Sequence, residues 1–293
     1  MKLCIYCKNT INSTNWYCGR CCSEPPIESS VRLLAPELDA SLGFDDEFFP
    51  LLEGVENDHF WFKSRNILIR FLLQKFHSNC EKFLEIGCGT GFVLDAIRKA
   101  SPAAFITASE ISVQGIKFAV NRGVADEYIQ MDARNIPYIN EFDCIGLFDV
   151  LEHIENDSFV IAEIHRSLTK NGTLIISVPQ HKWLWSNIDV KSWHYRRYER
   201  SELENVLQTN GFDIVWWSSF NLALAPLLFI QSRLKWKNQS KNVIQEHLYI
   251  NRFNNKIALI ILALEQILIT LGVHLPFGTS IFMVARKNNE YSF

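Results

Sequence analysis

Phe83-Leu84-Glu85-Ile86 runs straight into Gly87-Cys88-Gly89-Thr90-Gly91, and this junction constrains the fold more than any other stretch of the chain. The short apolar run reads as a buried strand and the three alternating glycines as a tight turn. Phe92 to Lys99 then reads as the start of a helix. Such a junction lets a nucleoside lie against bare backbone at the end of a strand. A nicotinamide-type turn would place its third glycine at the position Phe92 holds, so the spacing points away from that cofactor.

The junction opens an alternating series. Strands are expected at 82–86, 104–110, 127–130, 142–148 and 173–178, with helices at 91–100, 112–121 and 156–168 between most of them. A further helix at 200–210 leads to strands at 212–219 and 280–286. Strand–helix alternation of this kind predicts a mostly parallel sheet covered on both faces. His59 to Phe76 carries apolar residues at helical spacing and reads as an entry helix.

With Glu85 two residues ahead of Gly87, the turn resembles the first motif of class I S-adenosylmethionine (SAM)-dependent methyltransferases. The resemblance covers about residues 59 to 220. It implies an α/β, Rossmann-like domain with a mostly parallel seven-stranded sheet, whose last strand pairs antiparallel with the one before it. Here about sixty residues separate those two strands. They form an insertion at 220–278 with two apolar stretches, Leu222–Ile230 and Ile257–Leu271, around a polar middle.

In that family the turn, here Glu85, Gly87, Cys88, Gly89 and Gly91, lines the cofactor site. Glu110, 19 residues after Gly91, suits the two ribose hydroxyls, because a carboxylate offers two acceptor oxygens; Ile111 follows it. Asp132 and Ala133 are expected at the adenine, Phe148 and Asp149 at the close of the pocket, and Arg65 on the cofactor carboxylate.

Methyl transfer to a hydroxyl requires alignment and removal of a proton. The candidates for proton handling are His153, His181 and His194. Asp149-Val150-Leu151-Glu152-His153 resembles the acid-x-x-Glu-His element of ubiquinone-pathway and small-RNA O-methyltransferases, which implies a divalent metal at Asp149, Glu152 and His153. The segment from Val178 to Tyr198, rich in Trp, His and Arg, follows the fifth strand where an acceptor would lie. It resembles methyltransferases of sugars, lipids and cell-envelope metabolites. An Asn/Asp-Pro-Pro-Tyr/Phe motif is absent after the fourth strand, which disfavours base N-methylation by that route.

Cys4-x-x-Cys7 and Cys18-x-x-Cys21 have the spacing of two zinc knuckles. Four thiolates so arranged suit a closed tetrahedral Zn²⁺, whose binding would fold a module, residues 1–22, too small for a core of its own. Residues 23–58, with Pro25-Pro26, Pro36 and Pro50, read as a linker some of whose apolar residues pack on the neighbouring domain. The methyltransferase domain would run from 59 to 293. Five of the eight cysteines fall in the first 22 residues, and the start of the chain has no apolar leader-like run; both features fit a cytoplasmic protein.

A formal net charge of −3 gives no general field for nucleic acid. The expected function is methyl transfer to the oxygen of a small-molecule, glycan or lipid acceptor. A zinc module ahead of such a domain also resembles some ribosomal-RNA methyltransferases, so RNA is an alternative acceptor, and a non-catalytic SAM-binding module is another alternative. Ile257–Leu271 is short for a span of about 20 residues and holds Glu265 and Gln266 mid-run. It is expected to be a buried helix pair, or else a peripheral contact with a membrane.

Overall fold

A computed structural model describes residues 1–12, 15–38, 46–226, 229–230 and 248–290. The chain begins with a small hairpin, β1 (Lys2–Leu3) and β2 (Thr10–Ile11), followed by β3 (Ile27–Glu28) and β4 (Val31–Leu33). Two helices, α1 (Phe48–Glu56) and α2 (Phe60–Phe76), lead into the alternating core. That core is β5 (Lys82–Ile86), α3 (Leu94–Ala100), β6 (Phe105–Glu110), α4 (Val113–Arg122), β7 (Glu127–Gln130), β8 (Phe142–Phe148), α5 (Asp157–Ser167) and β9 (Leu168–Pro179). Then come α6 (Asn187–Lys191), α7 (Arg200–Thr209), β10 (Phe212–Phe220), α8 (Arg252–Thr270) and β11 (Ser280–Lys287).

The main sheet has the order β10-β11-β9-β8-β5-β6-β7-β4-β3. Its centre is parallel, and β11 lies antiparallel between β9 and β10. The seven expected strands are all present, and the predicted partners at the end do pair across the long insertion. The polar middle of that insertion, 231–247, lies outside the described residues.

Alternation along each strand divides the core in two. Leu84, Ile86, Ile145, Leu147, Leu174 and Ile176 face α5 and α7. Phe83, Ile106, Ala108, Cys144 and Ile175 face α2, α3, α4 and α8. Residues of both sets are fully buried, as in a parallel sheet whose two faces are covered by helices.

The sheet has nine strands rather than seven, and the extra two correct the linker reading of 23–58. β4 pairs parallel with β7, placing Arg32 opposite Ile129 and Leu33 opposite Gln130, and β3 folds back on β4. Three residues are too few for a periodic pattern to show. They become a strand because the edge of β7 offers unpaired backbone groups.

The cysteine-rich segment is docked on the domain. Trp16 is buried edge-on against Tyr138 with ring centroids 5.4 Å apart, and its indole N–H donates to Glu127 at 3.1 Å. The Leu3 amide donates to the Pro137 carbonyl at 2.9 Å, and the Ile139 amide to the Met1 carbonyl at 2.8 Å. Cys4, Ile11, Trp16 and Cys18 share one apolar cluster with Tyr138 and Phe142, so the segment lends core to the domain and borrows it in turn.

Candidate functional site

A cleft of about 1530 Å³ opens at the carboxyl ends of β5 to β8. Arg65, Glu85, Gly87, Cys88, Gly89, Glu110, Ile111, Asp132, Ala133, Phe148 and Asp149 line it, as do His153 and His194. Gly91 and His181, expected with them, are not among its lining residues.

Two glycines of the turn have different physical reasons. Gly87 has φ +72°, and a Cβ there would lie 2.3 Å from Val150 Cγ2. At Gly91, φ is +80° and a Cβ would lie 2.9 Å from the Cα and Cβ of Ala119. Gly87 therefore shapes the turn at the cleft. Gly91 lets α4 approach, which is why it stands behind the wall.

Glu110 is buried and already oriented by the backbone. Its Oε2 accepts from the Gly89 amide at 2.9 Å, and its Oε1 from Ile111 and Ser112 at 2.8 and 3.2 Å. Burial raises its pKa, opposed by these three N–H groups. A carboxylate oxygen has two lone-pair sites, so Oε2 keeps one for a further donor. Glu85 is more isolated. Burial, opposed by Arg65 and reinforced by Glu110, lifts it to about 8, and its Oε2 has no hydrogen-bond partner among the described residues.

Arg65 and Asp132 are engaged in ways the sequence did not reveal. Arg65 donates to Asp149 Oδ2 at 2.6 Å while lying 4.5 Å above the Trp61 ring, and Asp149 adopts φ +56°. Asp132 is gripped by Arg134, whose Nε lies 3.0 Å from both carboxylate oxygens. Each of these acids thus lines the cleft as half of an ion pair.

Helix α1 forms a wall that composition did not assign to the site. Glu56, buried, accepts from the Thr90 hydroxyl of the glycine turn at 2.9 and 2.7 Å and pairs with Arg122 of α4. The Phe49 ring fills the space a side chain on Gly115 would need, 2.5 to 2.9 Å from such a Cβ. The only sequence signal was the apolar run Phe48-Phe49-Pro50-Leu51-Leu52 ahead of Glu56.

The side of the cleft formed by the 178–198 segment is organised around Asp189, which has no exposed surface. Its Oδ1 receives His194 Nδ1 at 3.0 Å and Arg197 Nε at 2.8 Å, and its Oδ2 receives the Ser186 amide and hydroxyl at 2.8 and 2.9 Å. Burial pushes its carboxyl up, but the His194 bond and the Arg197 charge outweigh that and bring it down to about 2. His194 meets His153 edge-on with ring centroids 4.7 Å apart. Burial, with the nearby His194, lowers His153 to about 3, so that ring is neutral at ordinary pH.

Ligand atoms of Glu152, His153 and His194 lie within 4.8 Å of one another, and Glu152 Oε2 is buried without a hydrogen-bond partner among the described residues. This corrects the expected metal set. Asp149 is taken by Arg65, and His194, forty-one residues beyond His153, occupies the third corner. His181 sits elsewhere, stacked on Phe277 at 4.6 Å and on Trp183 at 5.7 Å, with Nδ1 3.0 Å from Glu199 Oε2. The 178–198 segment does wall the cleft, through Leu184, Trp185, Trp193 and Tyr195 among others.

At the far end of the chain the sulfurs of Cys4, Cys7, Cys18 and Cys21 all lie within 4.8 Å of one another. Cys4 to Cys21 is 3.5 Å and Cys7 to Cys18 is 3.7 Å. Zinc–sulfur bonds of about 2.3 Å in a tetrahedron put sulfurs about 3.8 Å apart, so the donor set fits that ion.

Comparison with known proteins agrees with this architecture. The methyltransferase-domain family matches residues 58–216, more than half of the chain. A Mycolicibacterium smegmatis protein described as a "Probable S-adenosylmethionine-dependent methyltransferase" is 22% identical over 171 residues, 56% of this chain and 63% of that relative, so the chain spans under two thirds of its length. The ubiquinone biosynthesis O-methyltransferase of Rickettsia canadensis is 20% identical over 208 residues, 64% of this chain and 84% of that one. Among solved structures, phosphoethanolamine N-methyltransferase 2 of Haemonchus contortus, in complex with SAM, shares the fold with a TM-score of 0.54 and 18% identity, over 84% of this chain and 58% of that one. The glycine turn, the strand order and the family match converge: the chain belongs to the class I SAM-dependent methyltransferase family.

Proposed function

We propose that the protein is a SAM-dependent methyltransferase acting on an oxygen of a glycan, lipid or small-metabolite acceptor. The observation that carries this reading is the Asp189–His194 pair, which brings a buried carboxylate and an imidazole to the same cleft as the glycine turn and Glu110.

SAM, when bound, supplies a methyl group already activated on a sulfonium. Glu110 Oε2 would accept from the ribose, and Glu85, whose Oε2 lacks a donor, would meet the cationic end of the ligand. Ala133 and Ile111 would flank the base. Asp189 accepts from His194 Nδ1, which fixes the tautomer and leaves Nε2 to take the proton of an acceptor hydroxyl. Because Asp189 stays ionised, it stabilises the imidazolium that forms. His153, neutral and against the same ring, limits its rotation.

A second reading of the same trio is favoured by the unpartnered Glu152 oxygen. Glu152, His153 and His194 could hold a divalent cation, which would supply a Lewis-acidic point for the acceptor oxygen. A structural Zn²⁺ on Cys4, Cys7, Cys18 and Cys21 is proposed on the sulfur geometry.

Calorimetry with S-adenosylhomocysteine, followed by transfer of labelled methyl into lipid, glycan, metabolite and RNA fractions, tests the reading. Uptake of the nucleoside with label in an alkali-stable ether of a non-RNA fraction is expected. No uptake by folded protein would sink it, and label in RNA would replace the acceptor class. Activity lost to a chelator and restored by a divalent ion, with zinc content and melting temperature unchanged throughout, would favour the second reading.

A further inference from the structure

Helix α8 is apolar on both sides, with Ala258, Leu262 and Ile269 buried on the inner one. Its one carboxylate, Glu265, and the neighbouring amide, Gln266, are both turned inward. Glu265 is satisfied there by the backbone amides of Asn221, Leu222 and Ala223, the second at 2.9 Å and the third at 3.3 Å. Gln266 donates to the Ser64 carbonyl of α2 at 2.5 Å. The outward stripe is made of Phe253, Ile260, Leu264, Ile267 and Leu271, spaced by seven, four, three and four. Phe253 is 73% exposed, Ile260 63%, Leu264 61% and Leu271 76%. A helix between core and water carries polar residues on its outer face, and an apolar stripe this long on a surface marks a docking face.

Charge identifies what docks. Arg252 and Lys256 stand at the start of the helix. From 231 to 256 the sequence holds six basic residues (Arg233, Lys235, Lys237, Lys241, Arg252 and Lys256) against Glu246 alone, in a chain whose net charge is −3. A second copy of the face would offer these cations no exposed carboxylate on α8, because Glu265 is buried. By length and composition α8 could cross a membrane, but it is fastened along one side to α2 and to residues 221–223. It must therefore lie flat. An apolar stripe on a helix that opens with Arg252 and Lys256 is the pattern of a helix resting in the interface of an anionic bilayer.

We infer that the outer face of α8 docks on an anionic lipid surface and holds the cleft mouth beside it. Ile257, Ala258 and Ile261 of the same helix line the cleft, so an amphiphile resting in the contacted leaflet has a short apolar path inward. The docking does not rest on the proposed function and stands whether or not the cleft takes SAM.

Co-sedimentation of the full chain with vesicles of phosphatidylglycerol and phosphatidylcholine, against phosphatidylcholine alone, tests it. Binding to the anionic vesicles is expected, weakened by salt. The pair I260S/L264S, outside the cleft, is expected to keep its melting temperature and its nucleoside binding and to lose at least tenfold in partitioning. R252E/K256E should lose binding severalfold on anionic vesicles only. Wild-type protein left in the supernatant, or I260S/L264S binding as well as wild type, overturns the inference. So does a dimer that I260S/L264S dissociates while neither form binds vesicles.

Discussion

The two halves of the cleft are made differently. The cofactor half is local: Glu85, Gly87, Gly89 and Glu110 lie at the ends of two adjacent strands, within 26 residues, and backbone amides hold the acid. The other half, proposed for the acceptor, is assembled across the chain. Asp189, His194 and Arg197 come from the segment after β9, His153 and Glu152 from the turn after β8, and the outer wall from α8. A nucleoside common to a whole family can be met by geometry close to the backbone. An acceptor particular to one protein is met by side chains carried on longer connections.

The largest expected effect tests the foundation beneath both halves. If the proposed zinc is held by Cys4, Cys7, Cys18 and Cys21, removing it, or making Cys18→Ser, should release Trp16 from Tyr138 and lower the melting temperature steeply. Structural zinc contributes on the order of 10 kcal/mol, and one equivalent of zinc by elemental analysis should vanish with it. An unchanged melting temperature after complete metal removal would refute the structural role.

Next, Asp189→Asn should separate the halves. It leaves the shape intact but loses the charge and the tautomer control, so turnover should fall roughly 10³-fold with nucleoside affinity unchanged. Equal losses in both would tie Asp189 to folding instead. Gly87→Ala should do the reverse. Its Cβ would strike Val150 in a left-handed backbone conformation, costing about 3 kcal/mol, and calorimetry should show nucleoside binding fall at least tenfold.

His153 gives a pH signature. Its folded pKa of about 3 lies below the ordinary value of 6.5, so below pH 6.5 the unfolded chain binds a proton the folded one excludes. Its contribution to stability is thus complete above about pH 6.5 and declines as pH falls towards 3. Denaturant titrations of His153→Gln should be flatter across that window by a few kcal/mol.

The smallest effect concerns Glu85. With its carboxyl at about 8 in the ligand-free cleft, binding of a cationic ligand should release a proton. Affinity should therefore rise about tenfold from pH 7 to 9. In Glu85→Gln the dependence should disappear, and if it persisted another group would be responsible.

Much of the cofactor half was legible, because strand, glycine turn and acid follow from contiguous residues and fixed spacing. The corrections arose where partners are distant. Nothing near Asp149 in sequence announced Arg65, 84 residues earlier. His181 resembled a site residue by position, yet Phe277, almost a hundred residues on, draws it into an aromatic stack.

By itself the sequence determined the alternating strands and helices, the glycine turn with Glu85 and Glu110, and the paired cysteines, since each rests on periodicity or spacing along a few residues. Only the tertiary structure decided that β3 and β4 extend the sheet, that α1 closes on the turn through Glu56 and Thr90, and that His194 meets both Asp189 and His153. It also decided which way α8 faces. Burial of Glu265 depends on amides forty residues away, and no pattern within the helix can say whether its polar residues or its apolar ones will find those partners.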